Sequence, residues 1–474
     1  MTTNPDKPRA AEAPKEVEIS LYESSAKIYA RSVKGLFNTW RWALVWITQI
    51  VFYGLPWLVW NNRQAVLFDL EARRFYLFGL VLYPQDFIYL TGLLVIAALA
   101  LFLFTAVAGR LWCGFACPQT VYTEIFMWIE KKIEGDRSAR MRLDDGAMSG
   151  NKFGRKALKH LAWILFALWT GVTFVGYFTP IKVLVAEFAT LGLGPWETFW
   201  VLFYGFATYG NAGWMREQVC KYMCPYARFQ SAMFDRDTMI VTYDEARGEP
   251  RGARRKSADP KALGLGSCID CTLCVQVCPT GIDIRKGLQY ECIGCGACVD
   301  ACDDVMDKMN YPRGLIRFAT ENGMANQWSN QQMVQRAMRP RVLIYTGVLL
   351  AICVAVAVSL YLRTPLKVDV MRDRGAIARM VEQGRIENVF RLQAMNATEV
   401  VQQLEVSVEG LPGIMIASER TMVVQPTEVH SLALRVQVPP GSSPGGSHKI
   451  QFKIRSLNDS GIAIQEESVF LVPR

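Results

Sequence analysis

Histidine is almost missing from this chain of 474 residues: only His160, His430 and His448 occur. Haem b in a membrane bundle ordinarily takes two facing histidines, and only His160 lies near an apolar run. Intramembrane haem and a multi-histidine copper centre are thereby excluded, and His160 reads as a polar residue at a helix start. Cysteine is missing beyond Cys353, so residues 364–474 have no disulfide to brace them. No general acid, base or nucleophile triad can be assembled from the motifs. No short apolar run near the start resembles a cleavable signal, so the first long run serves as its own insertion signal. The basic surplus, a net charge of +9, is dispersed beside apolar runs, which gives a nucleic-acid role little support.

Apolar sequence is what the chain has in abundance: 51% of its residues are hydrophobic, high for a soluble protein. Runs at 42–60, 86–108, 157–179, 196–215 and 342–362 approach or exceed the roughly 20 residues that cross a bilayer. The weakest is 196–215, with Glu197 near its start and Asn211 near its end. Trp40, Trp42, Trp57, Trp60, Trp112, Trp196 and Trp214 suit membrane interfaces. Gly54 and Pro56 are tolerable in a span whose neighbours cover the freed backbone. Ten Lys or Arg residues lie in 109–159 and eighteen in 216–341, against Lys182 alone in 180–195 and three in 61–85. Positive-inside logic then puts both basic loops in the cytoplasm. The N-terminus, with Lys27, Arg31, Lys34 and Arg41, falls on the same side and the C-terminus on the other. Residues 1–20, rich in Pro, Ala, Glu and Lys, read as a disordered tail.

The second span ends in Trp112-Cys113-Gly-Phe-Ala-Cys117-Pro118-Gln, and the fourth in Cys220-Lys-Tyr-Met-Cys224-Pro225-Tyr. Each Cys-x3-Cys-Pro follows a membrane hairpin and precedes an interfacial stretch, Val121–Ile133 and Ala227–Ile240. The hairpin unit therefore occurs twice, as an internal repeat. Cysteines at i and i+4 share a helix face, so each pair can bind one soft ion, or both pairs can build one four-thiolate site. The plain alternative is four small buried thiols, a common fate of free cysteine. Cys353, alone inside the fifth span, is read as a packing residue.

The strongest signal is Cys268–Cys302. Cys268-Ile-Asp-Cys271-Thr-Leu-Cys274-Val-Gln-Val-Cys278-Pro279 and Cys292-Ile-Gly-Cys295-Gly-Ala-Cys298-Val-Asp-Ala-Cys302 each have the spacing of a bacterial ferredoxin. Three close thiolates hold three corners of one cube, and the fourth cysteine crosses to the other. Cys268, Cys271, Cys274 and Cys302 are thus expected on one [4Fe-4S] cluster, and Cys292, Cys295, Cys298 and Cys278 on its twin. Cytosolic thiols stay reduced, which argues against disulfides; zinc usually takes two separated pairs. Asp303 stands where the first half has Pro279. Residues 244–264 read as a polar, flexible linker into this module. Beyond Arg363, alternation at Leu404/Val406/Val408, Leu432/Leu434/Val436/Val438 and Ile450/Phe452/Ile454, broken by turn-rich pieces, predicts a β-sandwich whose default role is docking.

This order of parts resembles the CcoG/FixG/RdxA family, accessory proteins for assembly of cbb3-type cytochrome c oxidase. The resemblance rests on both Cys-x3-Cys-Pro segments, on Glu130…Glu134-Gly-Asp-Arg137, on Cys278-Pro-Thr-Gly-Ile-Asp-Ile-Arg285 and on the immunoglobulin-like tail. It implies a bacterial inner-membrane protein that reduces Cu(II) to Cu(I) while copper is supplied to the oxidase. Relatives with only the membrane half and the clusters, the NapH and NosR types, work instead in quinol-linked electron transfer.

The reading is a multidomain membrane protein: a tail at 1–38, four spans at 39–240, a cytoplasmic two-cluster ferredoxin-like α+β module at 241–340, a fifth span at 341–363 and a periplasmic immunoglobulin-like domain at 364–474. A cytosolic donor reduces the clusters, and electrons pass to copper at Cys113, Cys117, Cys220 and Cys224, since thiolates prefer Cu(I). Expected partners are inner-membrane lipid, that donor, copper-delivery or oxidase-assembly proteins and a second copy in a homodimer, with no nucleic acid. The rivals are a copper-free quinol conduit and a non-redox assembly scaffold.

Overall fold

The computed structural model describes residues 27–260, 262–373, 378–459 and 461–473; the tail expected at 1–20 lies outside them. Among the described residues, three helices are long and apolar enough to cross a membrane: Pro84–Ala108, Gly150–Val175 and Pro340–Tyr361. The first and third bury almost none of their central side chains inside the protein. They run antiparallel in contact. Tyr89 Oη bonds Ser359 at one end, and Arg339 donates to the Ala106 carbonyl at 2.7 Å at the other.

The two remaining apolar runs take other forms. Run 42–60 is the helix Leu36–Gly54, which turns at Leu55–Trp57 and enters a short strand at Val59–Trp60. Run 196–215 is the helix Pro195–Thr208, which loosens into π-type turns at Tyr209–Met215 around Gly210, Asn211 and Gly213. Both helices leave large apolar side chains exposed, among them Trp46, Ile50, Phe199 and Phe206. His160 sits well inside helix Gly150–Val175 rather than at its start. It stacks on Trp214 and bonds the Tyr209 hydroxyl at 3.0 Å.

Residues 61–85 are not a plain loop. Strands Val66–Asp69, Arg74–Leu77 and Leu80–Leu82 form an antiparallel meander whose Leu67, Tyr76, Val81 and Tyr83 pack on Met395 and Ala397 of the C-terminal domain. That domain is a sandwich. Leu366–Arg372, Ile386–Asn396, Val429–Val438 and Met415–Ile416 make one sheet, and Thr421–Val424, Gln402–Glu409, Gly446–Ser456 and Ala463–Val472 the other. Alternation buries Phe390, Leu404, Leu434 and Phe452 between them, and the rings of Phe390 and Phe452 meet edge-on at 5.2 Å. Asp86 ties this end together. Its carboxylate accepts from Arg363 at 2.6 Å, from Lys367 and from the Tyr83 amide.

At the opposite end of the same helices lies the cysteine-rich module. Helix Ala297–Met309 and the paired strands Ile240–Tyr243 and Ile316–Ala319 supply its core. The second interfacial helix stops at Met233, ahead of the expected Ile240, because that residue begins a strand. Within the stretch expected as a linker, Arg254 donates to the carbonyls of Gly266 and Cys268 and to the Tyr311 hydroxyl, which ties it to the module.

Candidate redox site at the membrane surface

The two Cys-x3-Cys-Pro segments fold alike at their second cysteine. Cys117 precedes helix Pro118–Glu134 and Cys224 precedes Pro225–Met233, each in extended backbone. Proline at the first helical position lacks an N–H that would have no helical partner anyway. The first cysteines differ, Cys113 lying in the short helix Leu111–Phe115 and Cys220 in the π-type turn Val219–Met223. All four thiols are half-buried and near enough to act on one another. Burial, then Cys117, Cys113 and Cys224, push Cys220 up to about 12. Burial and then Cys117 push Cys113 up to about 11. Burial raises Cys117 as well, against the opposing amides of Gln119 and Thr120 at the helix start. Among the described residues no three Cys, His, Asp or Glu side chains are gathered tightly enough to hold a single ion. The four thiols bear on one another but form no closed cage for a metal. Gln230, fully buried, accepts the Cys113 S–H at 3.4 Å.

Two cavities hold the ferredoxin cysteines. Cys268, Cys271, Cys274 and Cys302 line one, with Val305, Met306 and Leu315. Cys278, Cys292, Cys295 and Cys298 line the other, with Cys274 at its edge and Ile282, Ile284 and Ile293 around it. Left-handed backbone at Asp270, Thr272, Gly294 and Gly296 curls each cysteine run about its cavity. Burial pushes the thiols of Cys292 and Cys302 up to about 12. Walls of aliphatic side chains with thiols as the donors suit an iron–sulfur group and no hard cation.

The second cavity is set directly on the first Cys-x3-Cys-Pro segment. A Cβ on Gly114 would lie 2.8 Å from both Cys295 Cα and the Ile293 carbonyl oxygen, so only glycine fits there. Cys113 packs against Val277, Ile293 and Cys295. Cys220 faces the same loop across a small cavity shared with Pro279, Thr280 and Ile293. The module is also locked to the helix Leu36–Gly54, whose opening amides of Phe37 and Asn38 donate to Asp300 at 3.1 and 2.7 Å. Gly296, in the left-handed region, leaves room for the Phe37 ring.

A buried ion network backs the thiol quartet. Glu130 meets Arg140 at 2.7 Å and Arg216 at 3.1 Å, while Glu134 meets Lys156 and Lys159, each at 3.0 Å. Burial alone would raise the Glu130 carboxyl; Arg216, Arg140 and Lys159 outweigh it and hold the group below its usual range. Arg216 leads into the Cys220 turn, so Glu130 joins the second pair to the helix that follows the first. Sequence reasoning missed Arg110, Asp300 and Gln230 as parts of this site. Only Arg110 left a signal, its place just before the motif.

Relatives and family models agree with this geometry. A model described as a 4Fe-4S dicluster domain matches residues 215–321, and one described as a 4Fe-4S binding domain matches 90–135. A third, the IG-like fold at the C-terminal of FixG, matches 356–473. The nitrogen fixation protein FixG of Rhizobium meliloti is 36% identical over 461 residues, covering 89% of this chain and 88% of its own. Protein RdxA of Cereibacter sphaeroides is 37% identical over 455 residues, 93% of this chain and 95% of its own. The ferredoxin-type protein NapH of Haemophilus influenzae is 23% identical over 46% of this chain and 69% of its own. Homology over nearly the full length, with iron–sulfur domains at one end of apolar helices and an immunoglobulin-like domain at the other, places the chain in the FixG/RdxA family, as a membrane iron–sulfur electron-transfer protein.

Proposed function

We propose that this protein passes single electrons from a cytosolic donor, through two [4Fe-4S] clusters, to copper held at Cys113, Cys117, Cys220 and Cys224, reducing Cu(II) to Cu(I) during assembly of a cbb3-type oxidase. Cys268, Cys271, Cys274 and Cys302 hold one cluster; Cys278, Cys292, Cys295 and Cys298 hold the other. The clusters supply one-electron storage when bound. The carrying observation is the fit of Gly114 and Cys113 against the Cys292–Cys295 loop, which leaves thiols and second cluster without intervening protein layers. Cu(II) arriving at the quartet gains one electron and remains as Cu(I), the ion soft thiolates favour.

The chain crosses the inner membrane five times in this reading, with the cysteine module in the cytoplasm and the sandwich in the periplasm. Support comes from the basic loops at the module's end and from the exposed apolar faces of helices Leu36–Gly54 and Pro195–Thr208. The sandwich serves copper-delivery or assembly partners, or a second copy of the chain. Anaerobic purification followed by iron, sulfide and copper analysis and a Cu(II) reduction assay tests this reading. It requires iron and sulfide of about eight each per chain, copper retention and reduction that disappears when the four thiols are replaced. A copper-free quinol conduit, the NapH-like alternative, would retain no copper.

A further inference from the structure

Arg110 leaves the membrane helix at the ferredoxin end and is buried. Its guanidinium donates to the carbonyls of Tyr290, Cys292 and Ala227, and its Nε has no partner. No carboxylate among the described residues pairs with it. Arg41, buried in the helix Leu36–Gly54, meets Glu124 at 3.2 Å and lines cavities that it shares with Val277, Thr280, Ile293 and Ala297 around the second cysteine run. The first cavity differs. Its arginine, Arg285, is neutralised by Asp270 and by Asp283 at 2.8 Å. A buried cation without a counter-ion is costly unless something negative lies beside it, and the thiolate-held cluster at Cys292 is that charge. Net charge and hydrogen bonding around a cluster set its reduction potential.

We propose that Arg110, with Arg41, is a positioning residue through which the membrane helices raise the reduction potential of the Cys292 centre and hold it against the thiol quartet. This rests on the cluster reading above. Cys271, exposed at the far cavity, marks the entry side. One electron moving from the Cys268 centre to the Cys292 centre oxidises the first and reduces the second. No bond or proton moves, and the cytosolic one-electron donor restores the first.

The test is an anaerobic dithionite titration of the full-length protein followed by electron paramagnetic resonance, with iron and sulfide measured on every variant. Cys295→Ser identifies the signal of the second centre. Arg110→Gln keeps an amide donor for the carbonyls and removes the charge; the second midpoint should shift negative while the first stays. Arg110→Lys should shift it less. Glu124→Gln frees Arg41 of its counter-ion and should shift the same midpoint positive. An unmoved second midpoint in both Arg110→Gln and Glu124→Gln at full iron content, or both centres moving together, overturns the proposal. Should Arg110→Gln fail to assemble, Arg110→Lys takes its place, and a second midpoint unmoved in both Arg110→Lys and Glu124→Gln overturns the proposal. Absence of clusters from the wild-type protein would instead sink the cluster reading itself.

Discussion

At one end of the membrane helices main chain packs on main chain of the cysteine module at Gly114, with a side-chain cap from Asp300 beside it, and at the other the sandwich is held through side chains. The Gly114 contact with Cys295 and Ile293 and the Asp300 cap on Phe37 and Asn38 leave no slack at the first joint. The second joint is an apolar patch of Leu67, Tyr76, Val81 and Tyr83 on the sandwich, fastened by Asp86 between Arg363 and Lys367. Interiors are close-packed, so a backbone joint transmits displacement whereas a side-chain joint can repack. Electron transfer depends on fixed separation, so a rigid joint at the iron–sulfur module suits an electron-transfer protein.

The sharpest way to break the first joint is Gly114→Val. Its new carbon atoms meet main chain that cannot swing aside, an overpacking cost of roughly 3 kcal/mol or more. Iron should fall from about eight to about four per chain as the second cluster is lost, with the first retained. Unchanged iron and spectra would show the joint to be looser than the contact distances require.

Glu130→Gln tests the ion network behind the same joint. It leaves Arg140 and Arg216 with one buried counter-charge fewer, and breaking such a set costs about 3–5 kcal/mol. Chemical denaturation of the detergent-solubilised protein should show a lower midpoint. The carboxyl is held below its usual range. Its contribution is therefore fully present above the unfolded-state pKa of about 4.3 and fades as pH falls through the lower folded value. Wild type should lose stability on acidification in that window, and the Gln variant should lose less.

The second joint should yield a smaller and separable effect. Tyr83 donates its hydroxyl to the Asn396 carbonyl at 3.0 Å and the Thr427 carbonyl at 3.3 Å. Tyr83→Phe strands those acceptors at a cost of about 1–3 kcal/mol. Proteolysis should release the sandwich faster while iron content and cluster spectra stay at wild-type values. A change in the clusters would mean that the two ends are coupled through the helices.

Much of this architecture could be read from the sequence, and the parts that could not share a cause. Iron–sulfur ligation imposes spacing within a dozen residues, so Cys268–Cys278 and Cys292–Cys302 stand out in a linear chain. The sandwich strands are long enough for alternation to register, as in Gln402–Glu409 and Val429–Val438. The meander at 66–82 has strands of three or four residues, too short for alternation to show. The joints were invisible because their contacts are remote: Asp300 reaches Phe37 across 263 residues. Arg110 looked like one more basic residue flanking a span. Its burial and its three carbonyl partners appear only once the module folds back onto the helix end.

The central claim is that electrons leave the clusters through the four thiols at the rigid joint. The direct measurement is anaerobic stopped-flow reoxidation of the dithionite-reduced protein by Cu(II), comparing wild type with the variant carrying Cys113→Ser, Cys117→Ser, Cys220→Ser and Cys224→Ser at matched iron content. The account predicts rapid cluster reoxidation with Cu(I) formation in wild type, and clusters that stay reduced in the variant. Equal reoxidation and equal Cu(I) yield in both proteins would contradict it.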